Sequence, residues 1–410
     1  MTINKKQKEL ELNLNSTPSG NRKHIVIMGR CNVGKSSLLN AIVGQEVAIV
    51  SSIRGTTTDP VLKSMEFLPL GPVVFIDTAG LDDEGGLGRL RVQKSKKVLQ
   101  RADYALLVHS IDDFDENHHV ETLYQLKVLN VPYLIVFNKI DQAGEDLLNS
   151  MRSRFPKAVF VSANDMNSIH HLKNVMINEL MTIEEDPPII GDILSYGGTA
   201  VLVVPVDSEA PKGRIILPQV QVIRDCLDHG IKVHVVRETE LEQAIKELKH
   251  IDLVITDSQA FDLVSQIVPQ DIPLTSFSIL FARHKGDLST FIEGSKVISS
   301  LKDGARILIS ESCTHNHTHE DIGRVKIPSL LNRSTGKSFE YIFSMGHDFQ
   351  EDLHGFDLII HCGSCMINRK TMLSRISLAK RHGVPITNYG VVLAYINNIL
   401  DRTTKVQGML

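Results

Sequence analysis

Gly29-Arg-Cys-Asn-Val-Gly34-Lys35-Ser36 follows an apolar run, His24 to Met28, and leads into a helical pattern, Ser37 to Val43. A strand, a glycine-bearing turn closing on Gly-Lys-Ser and then a helix make a P-loop, whose backbone N–H groups converge at a helix N-terminus and wrap phosphate oxygens. In that frame Gly29, Val33, Gly34 and Ser37 line the phosphates. Lys35 reaches the β- and γ-phosphate oxygens, and the Ser36 hydroxyl ligates Mg²⁺.

The same order of strand and then motif recurs downstream. Asp77-Thr-Ala-Gly80 follows Val73 to Ile76, so Asp77 can hold Mg²⁺ through water and the Gly80 N–H can meet the γ-phosphate. Thr57, within Arg54-Gly-Thr-Thr-Thr-Asp59, is the candidate second hydroxyl on Mg²⁺, with Thr56 and Thr58 left open. Lys35, Thr57 and Gly80 form the expected catalytic set. Asn138-Lys139-Ile-Asp141 follows Tyr133 to Phe137, and Asp141 can accept from both N1–H and the 2-amino group of guanine. Adenine offers neither donor there, and hydrogen bonds to a charged group are worth about 1.5–3 kcal/mol each, so GTP is favoured over ATP. Ser162-Ala163, after Ala158 to Val161, completes the base pocket.

Strand-like runs alternating with helical stretches imply a mainly parallel sheet covered by helices. The predicted fold class is α/β: a P-loop, Ras-like GTPase domain over 22–183, followed by two smaller α/β domains. Residues 1–21 are polar and aperiodic and read as a mobile tail. Glu184-Glu-Asp-Pro-Pro188 reads as a linker. Strands at Thr199 to Val206, Lys232 to Val236 and Ile251 to Thr256 give a domain over 187–266, whose sheet edge is a natural dimer surface. Strands at Arg306 to Ser310, Asp357 to His361 and Pro385 to Asn388, the last two joined by a helix from Lys370 to His382, give a third domain over 267–410.

The 410 residues suit two or three domains. A hydrophobic fraction of 42% with 22% charged residues excludes global disorder. A net charge of -4 gives no general attraction to nucleic acid. No apolar run reaches the roughly 18–20 residues of a membrane span, and the start, MTINKKQKELELNLN, is polar, so a cytoplasmic location without a membrane partner is expected. Five cysteines without a secretion signal read as reduced thiols.

Three of those thiols gather with histidines. Cys313-Thr-His315 is followed, 45 intervening residues later, by His361-Cys362-Gly-Ser-Cys365. Thiolates and imidazoles suit zinc or an iron–sulfur cluster, and spacing alone leaves both open. Cys226 reads as core, Cys31 has no assigned role, and His317 and His319 read as surface residues.

The nucleotide motifs resemble the translation-factor-like GTPases of tRNA modification and ribosome assembly, which share the Arg-Gly-Thr-Thr switch. Leu81 stands where Ras-type proteins place the water-orienting glutamine. Asn32 matches the asparagine that holds K⁺ in potassium-activated members, which implies slow, K⁺-stimulated hydrolysis. The order of GTPase, small α/β domain, Cys-x-His and His-Cys-x-x-Cys resembles the FeFe-hydrogenase maturation GTPases over nearly the whole chain, and Pro205 to Arg214 looks like that family's middle domain. The resemblance implies a homodimeric or larger scaffold carrying a 4Fe-4S cluster on Cys313, Cys362 and Cys365. It also implies a di-iron precursor as cargo, loaded by two radical-SAM maturases and delivered to apo FeFe-hydrogenase. His315 and His361 would orient the cluster or bridge to cargo, and the fourth iron site would be open or held by an exchangeable group, such as the carboxylate of Asp192 or Asp207. Two competing readings are an RNA-directed GTPase and a signalling GTPase with a structural zinc domain.

Overall fold

The computed structural model describes residues 19–44, 51–53, 61–78, 97–183, 186–205, 215–312, 322–346, 349–406 and 408. Of the expected tail, residues 1–18 lie outside that set, while Ser19–Asn21 form a 3₁₀ turn with Gly20 buried. The chain divides into two compact units, Met1–Glu185 and Asp186–Leu410.

In the first unit, β1 (Lys23–Met28), α1 (Lys35–Val43), β2 (Ser51–Ile53), β3 (Val61–Phe67), β4 (Gly71–Asp77) and β5 (Tyr104–Ser110) are followed by α2 (Glu116–Val128) and β6 (Tyr133–Asn138). Then come α3 (Glu145–Arg154), β7 (Val159–Phe160) and α4 (Met166–Thr182). The sheet order is β2-β3-β4-β1-β5-β6-β7. All pairs from β4 through β7 are parallel, and β2-β3-β4 is an antiparallel edge. Successive residues of β1 face opposite cores, as strand geometry requires. Ile25 and Ile27 pack with Leu38 and Ile42 of α1 and Leu172 and Met176 of α4, while Val26 and Met28 join Leu107 and Leu126. Burial on both faces explains why the central strands read as continuous apolar runs.

The second unit holds β8 (Thr199–Val203), α5 (Leu217–Asp228), β9 (Lys232–Val236), α6 (Leu241–Glu247), β10 (Leu253–Thr256), α7 (Phe261–Ile267), β11 (Leu274–Ser276), α8 (Phe277–Lys285) and α9 (Leu288–Lys296). It continues with β12 (Arg306–Glu311), α10 (Ile327–Thr335), β13 (Glu340–Met345), β14 (Leu358–His361), α11 (Arg369–His382), β15 (Ile386–Asn388), α12 (Tyr389–Ile396) and α13 (Leu400–Thr404). Two parallel four-stranded sheets form, ordered β11-β10-β8-β9 and β13-β12-β14-β15.

The expected boundary at 266/267 needs correction, because the first sheet runs past it. β11 pairs with β10 in parallel, and α13 returns to that edge from the far end of the chain. There Thr275 donates its hydroxyl to the Thr403 carbonyl at 2.9 Å, and Arg402 donates to the Ser265, Val268 and Pro269 carbonyls. Phe277, Leu280 and Phe281 of α8 belong to one apolar core shared with residues of both sheets, including Leu202, Ile255, Ile309 and Ile360. A strand as short as β11 carries too little pattern to be read before its sheet is seen. Among the described residues, no helix is long and apolar enough to cross a membrane.

Candidate functional site

The P-loop lies between β1 and α1, with Gly29 at φ 145° and Gly34 at φ 89°, conformations a side chain rarely adopts. A Cβ on Gly29 would overlap the Val108 carbonyl, and one on Gly34 the Asn138 amide. Asn32, exposed, is also in the left-handed region at φ 64°. Lys35 is 5% exposed. Its ammonium donates to the Arg30 carbonyl at 2.9 Å and to the Gly29 carbonyl. Arg30 itself pairs with Asp113 and Asp115 at 3.6 and 3.4 Å.

At the carboxyl end of β4, Asp77 is buried and accepts from the Ser36 hydroxyl at 2.7 Å. A hydroxyl and a carboxylate held together at the phosphate end of the loop are hard oxygen donors, and they fit Mg²⁺. Asn138, 1% exposed at the end of β6, joins three motifs: its Nδ2 donates to the Val33 carbonyl at 3.0 Å, and its Oδ1 accepts from the Ala163 N–H at 3.2 Å. Lys139 adopts φ 63°, and exposed Asp141 sits in the 3₁₀ turn that follows. Buried Ser162 accepts from the Asn164 N–H at 3.2 Å. Exposed Ser37 occupies the first turn of α1. Thr57, Gly80 and Leu81 lie outside the described residues.

The second unit brings Cys362 and Cys365 together just past β14, with Ser364 at φ 60° turning the chain between them. Both are free thiols. Ser312 donates its N–H to Cys362 Sγ at 3.1 Å, and its hydroxyl lies 2.8 Å from the same sulfur. Residue 312 therefore stands against Cys362, one position before the expected third thiol. Cys313, His315 and Asp207 lie outside the described residues. Burial pushes the Cys365 thiol up to about 12, reinforced by Cys362 and opposed by the Lys285 ammonium, itself 1% exposed. Paired soft donors with N–H and O–H support at sulfur fit iron or zinc.

His361 is fully buried. The Arg375 guanidinium donates to His361 Nε2 at 2.6 Å, and arginine has no acceptor to offer in return. The imidazole proton is thereby assigned to Nδ1, which donates to the Cys362 carbonyl at 3.0 Å and lies 3.2 Å from the Ser364 hydroxyl. Burial first, and then Arg375, lower His361 to about 3, so the ring is neutral. Arg375 also donates to the Gly346 carbonyl at 2.7 Å and sits 4.9 Å over the Phe349 ring. His361 thus braces the Cys-x-x-Cys backbone while its lone pair is occupied. Exposed Asp192 is gripped by the Arg283 fork, one contact at 3.0 Å, so binding a metal would require leaving that arginine. Arg283 belongs to a segment whose carbonyls, with those of His284 and Gly286, accept from Arg369, four residues past Cys365. Cys226 is buried in the core. Arg375, Ser312 and Lys285 carry no motif and emerge only once α8, α11 and β12 are packed.

Comparison with protein families finds a match to the hydrogen maturase F dimerization domain at residues 189–286 and to the hydrogen maturase F tetramerization domain at residues 289–406, together more than half of the chain. This chain belongs to the hydrogen maturase F family. Its residues 24–139 match the 50S ribosome-binding GTPase family, which gives the family member its GTP-binding domain. The two matched modules carry the means of oligomer formation.

The tRNA modification GTPase MnmE of Ralstonia nicotianae is 35% identical over 164 residues, 38% of this chain and 34% of that protein. The GTPase Der of Sulfurimonas denitrificans is 38% identical over 144 residues, 33% of this chain and 28% of that protein. The chain thus spans about a third of the length of the curated relatives it matches. Among solved structures, Aquifex aeolicus Era bound to GDP and AlF4- has a TM-score of 0.32 at 19% identity, covering 53% of this chain and 93% of that one.

Proposed function

We propose that this maturase F family member is a GTP-hydrolysing scaffold that carries a 4Fe-4S cluster and assembles the di-iron subcluster of FeFe-hydrogenase for delivery to the apoenzyme. The observation that carries this reading is the Cys-x-x-Cys turn at the carboxyl end of β14, sulfur-supported by Ser312 and backed by a neutral, arginine-held His361, in a chain that also holds a phosphate loop. Cys313, Cys362 and Cys365 would hold the cluster, which supplies an iron–sulfur platform for the di-iron cargo. Asp192 or Asp207 would complete its fourth site, with Asp192 exchanging Arg283 for iron. His315 would orient the cluster or bridge to the cargo. Two radical-SAM maturases would supply the cargo, and a dimer or larger oligomer in the cytoplasm would be the working form.

In hydrolysis, water attacks the γ-phosphorus, the bond to the β–γ bridging oxygen breaks, and negative charge builds on the departing β-phosphate. Lys35 exchanges its loop carbonyls for those oxygens, and the α1 N-terminus adds N–H donors. Ser36, Asp77 and Thr57 would hold Mg²⁺, and Asn32 would hold K⁺, each offsetting that charge. With Leu81 in place of a water-orienting glutamine, turnover is slow in Na⁺ and faster in K⁺. The γ-phosphate acts as a switch through Thr57 and Gly80, by differential affinity for partners.

The test is anaerobic iron, sulfide and zinc analysis of the reconstituted chain beside a Cys362→Ser/Cys365→Ser variant. About four iron and four sulfide, lost in the variant, are expected. Zinc without sulfide would overturn the maturation reading in favour of a GTPase with a structural zinc domain. Nucleic-acid binding with a steep salt dependence would favour an RNA-directed GTPase, the setting named for MnmE.

A further inference from the structure

Asp352-Leu-His354 lies in the segment between β13 and β14, and His382 is the last residue of α11. Leu353 is fully buried and pins this segment, while the side chains of Asp352 and His354 on either side are 81% and 79% exposed. Asp352 Oδ1 accepts from the His354 N–H at 3.0 Å and lies 2.7 Å from His354 Nδ1. The His354 and His382 rings meet edge to face with centroids 4.8 Å apart. One donor atom from each of the three residues lies within 4.8 Å of the other two. His382 is held in place by the helix end, where the Gly383 N–H donates to the Ala379 and Lys380 carbonyls.

Two imidazoles, borderline donors, joined by one hard carboxylate suit zinc, cobalt, nickel or ferrous iron rather than calcium or magnesium, which take oxygen ligands. We infer that Asp352, His354 and His382 form a second, sulfur-free site for a divalent transition-metal ion, which clips the segment before β14 to the end of α11. With metal–nitrogen bonds of about 2.0–2.1 Å, the three groups close around an ion by modest rotation of the exposed Asp352 and His354 side chains toward half-buried His382. The site is separate from the thiols. Asp352 and His354 precede β14 whereas Cys362 and Cys365 follow it, and α11 runs back over 14 residues from Arg369 to His382, about 20 Å at 1.5 Å per residue.

The clip has a mechanical consequence. Phe349, just upstream of Asp352, lies under the Arg375 guanidinium, and Arg375 is carried by α11. An ion joining the two elements therefore stiffens the pair that positions His361.

The experiment is an anaerobic Co²⁺ titration of the full chain followed by visible absorption. It compares the unaltered chain, Cys362→Ser/Cys365→Ser, and that variant with His354→Ala/His382→Ala added. The Cys362→Ser/Cys365→Ser chain is expected to take up about one cobalt per chain at this site, with weak ligand-field bands that carry no sulfur-to-metal charge transfer, and to lose that uptake when the two histidines are replaced. Asp352→Asn, which keeps the size of the side chain, is expected to weaken binding without abolishing it. Cobalt uptake unchanged by loss of both histidines, or no uptake by the Cys362→Ser/Cys365→Ser chain while it retains GTP binding, would overturn the proposal. Neither outcome bears on whether the thiols hold a cluster.

Discussion

Lys35 and Arg375 are almost fully buried cations beside the two candidate ligand sites, and they are held in opposite ways. Lys35 finds its carbonyls in the loop it terminates, five and six residues back. Arg375 gathers acceptors 14, 29 and 65 residues away, from His361, Gly346 and Ser310. The phosphate-site lysine is therefore held by a contiguous stretch and the thiol-site arginine by the packing of a whole sheet. Damage should stay confined at the first and spread at the second.

The largest expected effect breaks the comparison at its local end. Lys35→Ala should lower GTP turnover by about 10²–10³-fold, the scale for losing one preorganised group at a developing charge. Phosphate release measures that loss, and iron and sulfide content should stay unchanged. Next is Arg375→Met, which takes the guanidinium from the buried His361 Nε2 and the half-buried Gly346 carbonyl and should destabilise the second unit by about 2–4 kcal/mol. Faster reaction of Cys362 and Cys365 with a thiol reagent would report it. Arg375→Lys should restore little, because an ammonium lacks the planar fork that reaches two acceptors at once. Unchanged thiol reactivity in both variants would mean that the site is as locally built as the phosphate loop.

Asp141→Asn should weaken GTP binding about 10–100-fold, since the paired acceptance from guanine is worth about 1.5–3 kcal/mol per bond. Equilibrium binding of GTP and ATP would show the gap between them shrinking. The last effect appears only in acid and is absent at neutral pH. His109 is buried against Phe114 and Phe137 and lies 2.9 Å from His119. Burial first, and then His119, lower it to about 3. The unfolded chain thus binds the extra proton between about pH 6.5 and pH 3, so stability present above 6.5 drains away as pH falls, by up to about 1.4 kcal/mol per pH unit. His109→Gln should flatten that slope in acid-unfolding curves of the first unit and leave the second unit unaffected.

Legibility in the sequence follows the same division. β1, β4, β5 and β6 were readable because strands buried on both faces are continuously apolar, and all but β5 lead into a short motif. β2 and β11 span three residues each, below the length at which a period can be recognised. The dimerisation and cysteine regions were readable as separate α/β patterns, but their shared core depends on α8 and α13, whose contacts join positions more than a hundred residues apart. For the same reason the cysteines stood out at once while Ser312 and Arg375 did not: a thiol announces its chemistry by type, whereas a bracing side chain does so only by its neighbours.

The return of α13 to β11 bears on how this protein can be cut. A gene fragment ending at residue 399 would remove Arg402 and Thr403 from the carbonyls and hydroxyl they meet on the other sheet, so a truncation aimed at the cysteine region would strip the edge of the region before it. A piece that keeps α13 with the edge it meets is 186–410, taken whole.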